Sequence, residues 1–256
     1  MEHRKFGLIG LPLSHSFSKN YFTEKFHKEN IPNCEYNLYP LENINQLQSL
    51  IAETPNLCGL NVTIPYKETV IPLLHELDVT AKAVGAVNCI KVNSSSQQLI
   101  GYNTDVFGFK QSIKPFLETQ HERALILGTG GAAKAVAYVL KDIGIDYYFV
   151  KRSNSLVSKT EQQLNNVFTY QELTEYIINS FKLIINTTPV GMYPNIGNSP
   201  EIPYQFISTS HLLYDLVYNP IETEFLKKAK YQGASAVNGL SMLHQQAEAA
   251  WRIWNS

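Results

Sequence analysis

Residues 124–133, Ala-Leu-Ile-Leu-Gly-Thr-Gly-Gly-Ala-Ala, leave this chain few folds to choose from. The apolar residues at 124–127 read as a buried strand, and the alanine-rich run after the glycines reads as a helix through about Leu140. Gly128 permits the sharp turn between them, Gly130 lets the backbone approach an anion, and small Ala133 lets helix and strand pack closely. The first turn of such a helix presents unpaired N–H groups, which suits the pyrophosphate of a dinucleotide. The glycines alone would also serve a plain tight turn. The strand before them, the helix after them and a further strand at 147–150 argue for the dinucleotide site.

The end of that further strand, about 20 residues on, decides between two cofactors. An acid there suits two ribose hydroxyls and repels a 2′-phosphate. This chain has Lys151, Arg152 and Ser153 instead, two cations and a hydroxyl that attract one. The expected cofactor is therefore NADP. Taken by themselves, the two basic residues also fit a solvated strand end.

Strands at 183–186 and 212–216 come next, with helical or loop segments between them. This alternation predicts a parallel sheet covered on both faces. Upstream, strands are expected at 6–10, 36–40 and 60–64, with helices at 18–29 and 43–53; Ile44, Leu47, Leu50 and Ile51 share a face of the latter. Helical segments are expected at 70–77 and 80–83, and a hairpin pairs 87–92 with 99–102. A helix at 104–118 joins the halves. Leu243, Ala247, Ala250, Trp251 and Trp254 mark an amphipathic closing helix.

Bulk properties narrow the function. The 256 residues suffice for one large domain or two modest ones, and the 44% hydrophobic content is that of a globular chain. A net charge of −1 without a basic stripe argues against nucleic acid and membrane surfaces as partners. The first residues run into an apolar strand without the apolar core of a signal peptide, and no stretch is apolar enough to span a bilayer. Cys34, Cys58 and Cys89 suit neither a disulfide framework nor a zinc site, so a reducing cytoplasm and no metal are expected.

Four polar clusters stand at loop or strand ends of the first half. In His15-Ser16-Phe17-Ser18, the two hydroxyls can face one carboxylate, or Ser18 can simply cap the helix at 19–29. In Asn61-Val-Thr63-Ile-Pro-Tyr-Lys67, Asn61 and Thr63 share a strand face and Lys67 stands at the strand's end, as a site residue or as an ordinary surface lysine. Asn88, after Gly85-Ala-Val, can satisfy loop backbone or bind a ligand. Asn103, Thr104 or Asp105 can each cap the connecting helix.

Taken together, these segments resemble the shikimate dehydrogenase family. The resemblance also takes in Asn186-Thr-Thr-Pro-Val-Gly191-Met192, Asp215-Leu-Val-Tyr218-Asn-Pro220 and Asn238-Gly239-Leu-Ser-Met-Leu-His-Gln-Gln246, in order over nearly the whole chain. It implies an α/β protein of two domains with the active site in the interdomain cleft. Residues 1–104 would bind the substrate, with helix 240–256 packing back onto them. Residues 105–239 would form a Rossmann-type doubly wound parallel sheet that binds NADP. It further implies that Ser16 and Ser18 hold a substrate carboxylate with Tyr218, and that Thr63, Asn88 and Gln246 contact ring hydroxyls. Lys67 and Asp105 would be the catalytic pair. Gly128, Gly130, Gly131 and Ala132 would cradle the cofactor, Lys151, Arg152 and Ser153 would face its 2′-phosphate, and Met192 and Gly239 would lie near the nicotinamide.

The activity so implied is the reversible NADPH-dependent reduction of 3-dehydroshikimate to shikimate in aromatic amino-acid (chorismate) biosynthesis. The partner would be a small molecule, and the chain a cytoplasmic monomer or homodimer. In that chemistry Lys67 donates to the carbonyl oxygen as charge develops there, and Asp105 orients the ammonium, hydrogen-bonds a substrate hydroxyl or passes a proton. The alternatives are an NAD-preferring quinate/shikimate dehydrogenase and a non-catalytic dinucleotide sensor. The chain departs from the family pattern at Lys19, Lys151, Ser153, Leu156 and Ser241, with Lys159 placed to compensate for the arginine that Leu156 replaces.

Overall fold

The computed structural model describes residues 3–13, 16–93, 96–153 and 166–256, which places Leu156 and Lys159 outside the described residues. The chain divides into two compact units, Met1–Thr104 with Ala247–Ser256, and Asp105–Gln246.

The first unit runs β1 (Arg4–Gly10), α1 (Phe17–Lys28), β2 (Cys34–Pro40), α2 (Leu47–Glu53), β3 (Leu57–Val62), β4 (Glu76–Leu77), α3 (Val79–Val84), β5 (Cys89–Val92) and β6 (Leu99–Tyr102). Its sheet order is β2-β1-β3-β5-β6-β4. β1 lies parallel to β2 and β3, and β5 runs antiparallel to β3 and β6. The period of two sends Ile9, Leu60, Val62 and Ile90 to one face, against Leu47 and Ile51 of α2. The opposite face packs Phe6, Leu8 and Cys89 against Phe22 and Phe26 of α1 and against Ala247, Ala250 and Trp254. Each Leu, Ile, Val or Phe among these, fully buried, stabilises the fold by roughly 1.5–3 kcal/mol. Trp254 stacks on Phe6 at 5.0 Å and donates its indole N–H to the Ile90 carbonyl at 3.0 Å. A Cβ on Gly59 would lie 2.2 Å from that indole nitrogen, so only glycine leaves room for the ring.

The helix expected at 70–77 does not form. Only a 3₁₀ turn, Ile71–Leu73, stands around Pro72, and Glu76 and Leu77 pair with Ile100 and Gly101 of β6. Proline removes an N–H from the run, and β6 captures the residues beyond it: His75 N donates to Leu99 O, and Leu99 N donates to His75 Nδ1, both at 3.0 Å.

The second unit contains all but the first residue of α4 (Thr104–Ile113), then β7 (Arg123–Leu127), α5 (Gly131–Asp142), β8 (Asp146–Lys151), β9 (Val167–Thr169), α6 (Glu175–Ser180), β10 (Leu183–Asn186), β11 (Leu212–Asp215), α7 (Glu224–Tyr231), β12 (Ser235–Val237) and the start of α8 (Leu240–Trp254). Six parallel strands lie in the order β12-β11-β10-β7-β8-β9. Ala124, Ile126, Leu183, Ile185, Leu212 and Tyr214 face α5, Phe109 of α4 and Met242 of α8. Leu125, Leu127, Ile184 and Leu213 face Ile178 of α6 and Phe225 of α7. Both faces are thus covered, which explains the unbroken apolar runs. Strand order reverses at β7, where open α/β sheets place their ligands beyond the carboxyl ends.

Three elements differ from expectation. The helix expected at 104–118 ends at Ile113 and tightens into a 3₁₀ turn, Lys114–Phe116, at Pro115, which has no N–H for another α-helical bond. β9 and β12 have three residues each, too few for a readable alternation.

Candidate active site

At the switch point the chain leaves β7 through Gly128, whose φ of +106° suits glycine and strains other residues. A Cβ there would stand 2.9 Å from Thr187 Oγ1, beyond the end of β10. Thr187 is itself fixed, its hydroxyl donating to the Leu127 carbonyl at 2.6 Å. Gly130 is different in kind. Its φ of −76° is ordinary, and a Cβ on it would meet nothing within 4 Å. It is the N-cap of α5 with no side-chain capping bond, while Gly131 and Ala132 begin the helix. Space above a backbone nitrogen cluster without a side-chain cap is what a bound pyrophosphate needs, so the residues present fit a dinucleotide.

Lys151 ends β8, in register with Thr169 of β9, and Arg152 and Ser153 come next as exposed residues. Ser153 donates its hydroxyl to Gln171 Oε1 at 2.6 Å. Burial pushes the Tyr170 phenol up to about 12, against the opposing pull of the Arg152 charge.

The loops after β10 and β11 share one buried network. Asn186 Oδ1 accepts from the backbone N and the hydroxyl of Thr188, at 3.0 and 2.6 Å. Its Nδ2 donates to Asp215 Oδ1 at 2.9 Å, and the Thr223 hydroxyl donates to Asp215 Oδ2 at 2.6 Å. This network holds the loops that carry Met192, which is exposed, and Tyr218, which is half-buried. Gly239 precedes α8. A Cβ on it would lie 2.2 Å from the Leu216 carbonyl oxygen, so this approach requires glycine. Gln246 is buried in α8, its Nε2 donating to Leu243 O at 3.0 Å.

In the first unit a buried polar chain runs from α1 to the start of α4. The Ser18 hydroxyl donates to the Tyr36 phenol oxygen, and Tyr36 donates to Asn61 Oδ1 at 2.8 Å. Asn61 Nδ2 donates to the Asn88 carbonyl at 3.4 Å, and Asn88 Oδ1 accepts the Thr104 N–H at 2.6 Å. Burial holds the Tyr36 phenol well above its usual range. Asn88 therefore does structural work as the distal cap of α4, and Asn103 Nδ2 donates to the Ala86 carbonyl at 2.8 Å beside it. Ser18 is not the cap of α1. That position belongs to Ser16, whose side chain makes no capping bond. Among the described residues, Ser16 Oγ is a buried hydroxyl without a hydrogen-bond partner, a group that an ordered water or a ligand would satisfy. His15 lies outside the described residues.

Thr63 comes directly after β3 and donates its N–H to Ile9 O at 3.0 Å, and its carbonyl accepts from Tyr66 N at 2.9 Å. Tyr66 is pinned in turn by its hydroxyl, which donates to Leu41 O at 2.6 Å. Lys67 is half-buried on this turn, and its carbonyl accepts from Val87 N at 2.7 Å. Asp105 is buried in the first turn of α4 and belongs to the second unit. Two contributors carry no signal in the sequence. Tyr36 looks like any aromatic in an apolar strand, and Gln171 belongs to a turn without a motif.

An open parallel sheet with a glycine turn at its switch point, an uncapped helix above it and a basic strand end defines the dinucleotide-binding class of α/β protein. Comparison with known proteins narrows the class. Residues 8–90 match the shikimate dehydrogenase substrate binding domain. The NADP(+) shikimate dehydrogenase of Methanosphaera stadtmanae is 37% identical over 97% of this chain and 90% of its own. Shikimate dehydrogenase 1 of Peptoclostridium difficile superimposes with a TM-score of 0.85 at 38% identity, covering 98% of this chain and 91% of that one. A shikimate dehydrogenase solved in complex with NADP+ gives 0.83 at 32% identity, covering 98% and 89%. This chain belongs to the shikimate dehydrogenase family.

Proposed function

We propose that this chain is an NADP-dependent shikimate dehydrogenase, interconverting 3-dehydroshikimate and shikimate in aromatic amino-acid biosynthesis. The observation that carries the reading is the open, uncapped start of α5 above Gly130, in a chain whose full-length relatives are named for NADP(+). Gly128, Gly130, Gly131 and Ala132 would hold the pyrophosphate, and Lys151 and Arg152 the 2′-phosphate. Met192 and Gly239 would flank the nicotinamide. When bound, the reduced cofactor supplies a hydride.

The substrate carboxylate would be met first by Ser16, whose buried hydroxyl is otherwise unsatisfied. Ser18 and Tyr218 would assist, and Thr63, Asn88 and Gln246 would read the ring hydroxyls. As the ketone oxygen gains charge, the Lys67 ammonium donates to it, and the proton remains on the product hydroxyl. Asp105 would orient Lys67 or restore its proton. Lys67 is suited to this by the anchored Tyr66 beside it and the Val87 bond to its own carbonyl. Residues 1–104 with helix 240–256 would serve the substrate, and 105–239 the cofactor. The three cysteines are free thiols, as a reducing compartment would keep them, and no helix among the described residues is long and apolar enough to cross a membrane. The test pairs shikimate and quinate with NADP and NAD while following near-ultraviolet absorbance of the reduced nicotinamide. Fast turnover only with shikimate and NADP is the expected result. Preference for quinate or NAD, or no turnover, would overturn it.

A further inference from the structure

Ser153 carries one hydroxyl proton, and the structure commits it to Gln171 Oε1 at 2.6 Å. A proton given to an amide oxygen is not simultaneously given to a phosphate. The amide that receives it, however, keeps two N–H donors on Nε2, and the bond fixes where they point. We propose that Gln171 is a further specificity-determining residue for the cofactor, its side-chain amide donating to the adenosine 2′-phosphate. The proposal rests on the NADP reading of the loop at 151–153.

Three observations support it. The loop and the turn after β9 meet residue by residue: Lys151 is in register with Thr169, Arg152 acts electrostatically on Tyr170, and Ser153 bonds Gln171. The Ser153 bond thus extends the contact past the end of the sheet and sets Gln171 beside the loop that carries the two cations. The turn that presents Gln171 is locked, with the backbone N and hydroxyl of Thr169 both donating to Glu172 Oε2, at 2.6 and 2.8 Å. These bonds turn Oε2 of Glu172, the nearest acid in sequence, toward Thr169 and hold its carboxyl below its usual range. Finally, the place is right. β8 lies beside β7, and its carboxyl end is where this class of sheet meets the adenosine ribose.

The experiment is a calorimetric titration of the whole chain with adenosine 2′,5′-bisphosphate and with 5′-AMP, neither of which requires turnover. Gln171→Glu keeps an oxygen for Ser153 but sets a carboxylate against the phosphate. The bisphosphate should then bind about tenfold more weakly or worse, with 5′-AMP unchanged within about twofold. Gln171→Met, which removes the donors without adding charge, should lose about three- to tenfold for the bisphosphate alone. Retained 5′-AMP affinity certifies that each variant is folded at the site. If Gln171→Glu binds the bisphosphate as wild type does, or if both ligands weaken together, Gln171 only buttresses the loop and the proposal fails. If wild type shows no preference for the bisphosphate, the NADP reading of the loop fails, and this proposal with it.

Discussion

Asn186 and Asp215, register partners on β10 and β11, are joined side chain to side chain at 2.9 Å, and among the described residues the groups bonded to the carboxylate are neutral: an amide, a hydroxyl and a backbone N–H. Asp215 is fully buried, and desolvation raises its pKa to about 6 despite bonds from Thr223, Val217 and Asn186. The folded state therefore binds this proton more tightly than the unfolded chain, where an aspartate titrates near about 3.9. Its contribution to stability is fully present below about pH 4 and is lost as pH rises through about 6. The full swing is about 3 kcal/mol. Asp215→Asn removes the titration, and the Thr223 hydroxyl can turn to accept from the new amide. Urea unfolding of both proteins across pH should show the variant gaining on wild type through this window and then running level. A difference independent of pH would refute the account.

The two glycines at the turn should respond differently to the same methyl group. Gly128→Ala forces a positive φ and a Cβ 2.9 Å from Thr187 Oγ1, so a loss of about 1–3 kcal/mol in stability is expected. Gly130→Ala meets no protein atom within 4 Å and keeps an ordinary φ, so stability should hold within about 0.5 kcal/mol. The methyl instead enters the space reserved for the pyrophosphate, and NADP affinity should fall about tenfold or more. Melting curves and a cofactor titration on the two variants separate the effects. An equal stability loss in both would show that Gly130 is structural.

The glycine turn and its flanking strands are legible in the sequence because each residue there obeys a local rule: apolar strand, positive φ, small helix start. The segment 70–77 reads wrongly as a helix because apolar spacing cannot register that β6 stands ready to take the backbone of His75 and Leu77. β9 and β12 escape notice because three residues carry no period. Site chemistry is visible as residue type and position, such as Lys67 after a strand. It is invisible as partnership: nothing in the sequence says that Ser18 bonds Tyr36, or that Asn88 caps α4 from another element. Asp215 stands in a family motif, yet only the fold surrounds its carboxylate with neutral donors.

Lys67 offers a test of chemistry separate from folding. The bond that its carbonyl accepts from Val87 N, at 2.7 Å, belongs to the backbone, and a side-chain change leaves that bond in place. Lys67→Ala should therefore melt within a few degrees of wild type. Its turnover should fall by roughly a hundredfold or more, since a positioned acid is worth about that much. Near-normal kcat in the purified variant would remove Lys67 from the catalytic role.

Ser16 and Ser18, two residues apart, should separate binding from stability. Ser16 Oγ is buried without a partner, so its desolvation is uncompensated until something accepts its proton. Ser16→Ala deletes that unsatisfied group and should leave stability unchanged or slightly raised. The KM for shikimate should rise about tenfold, with the KM for NADP unmoved. Ser18, by contrast, already donates to Tyr36 within the chain that leads through Asn61 to Asn88. Ser18→Ala should cost about 1 kcal/mol of stability along with any effect on substrate. Steady-state kinetics with each ligand varied, beside denaturation of the same samples, distinguish the two. Were Ser16→Ala to destabilise the fold while leaving the shikimate KM untouched, its hydroxyl would be a structural group, and the carboxylate would have to be held elsewhere.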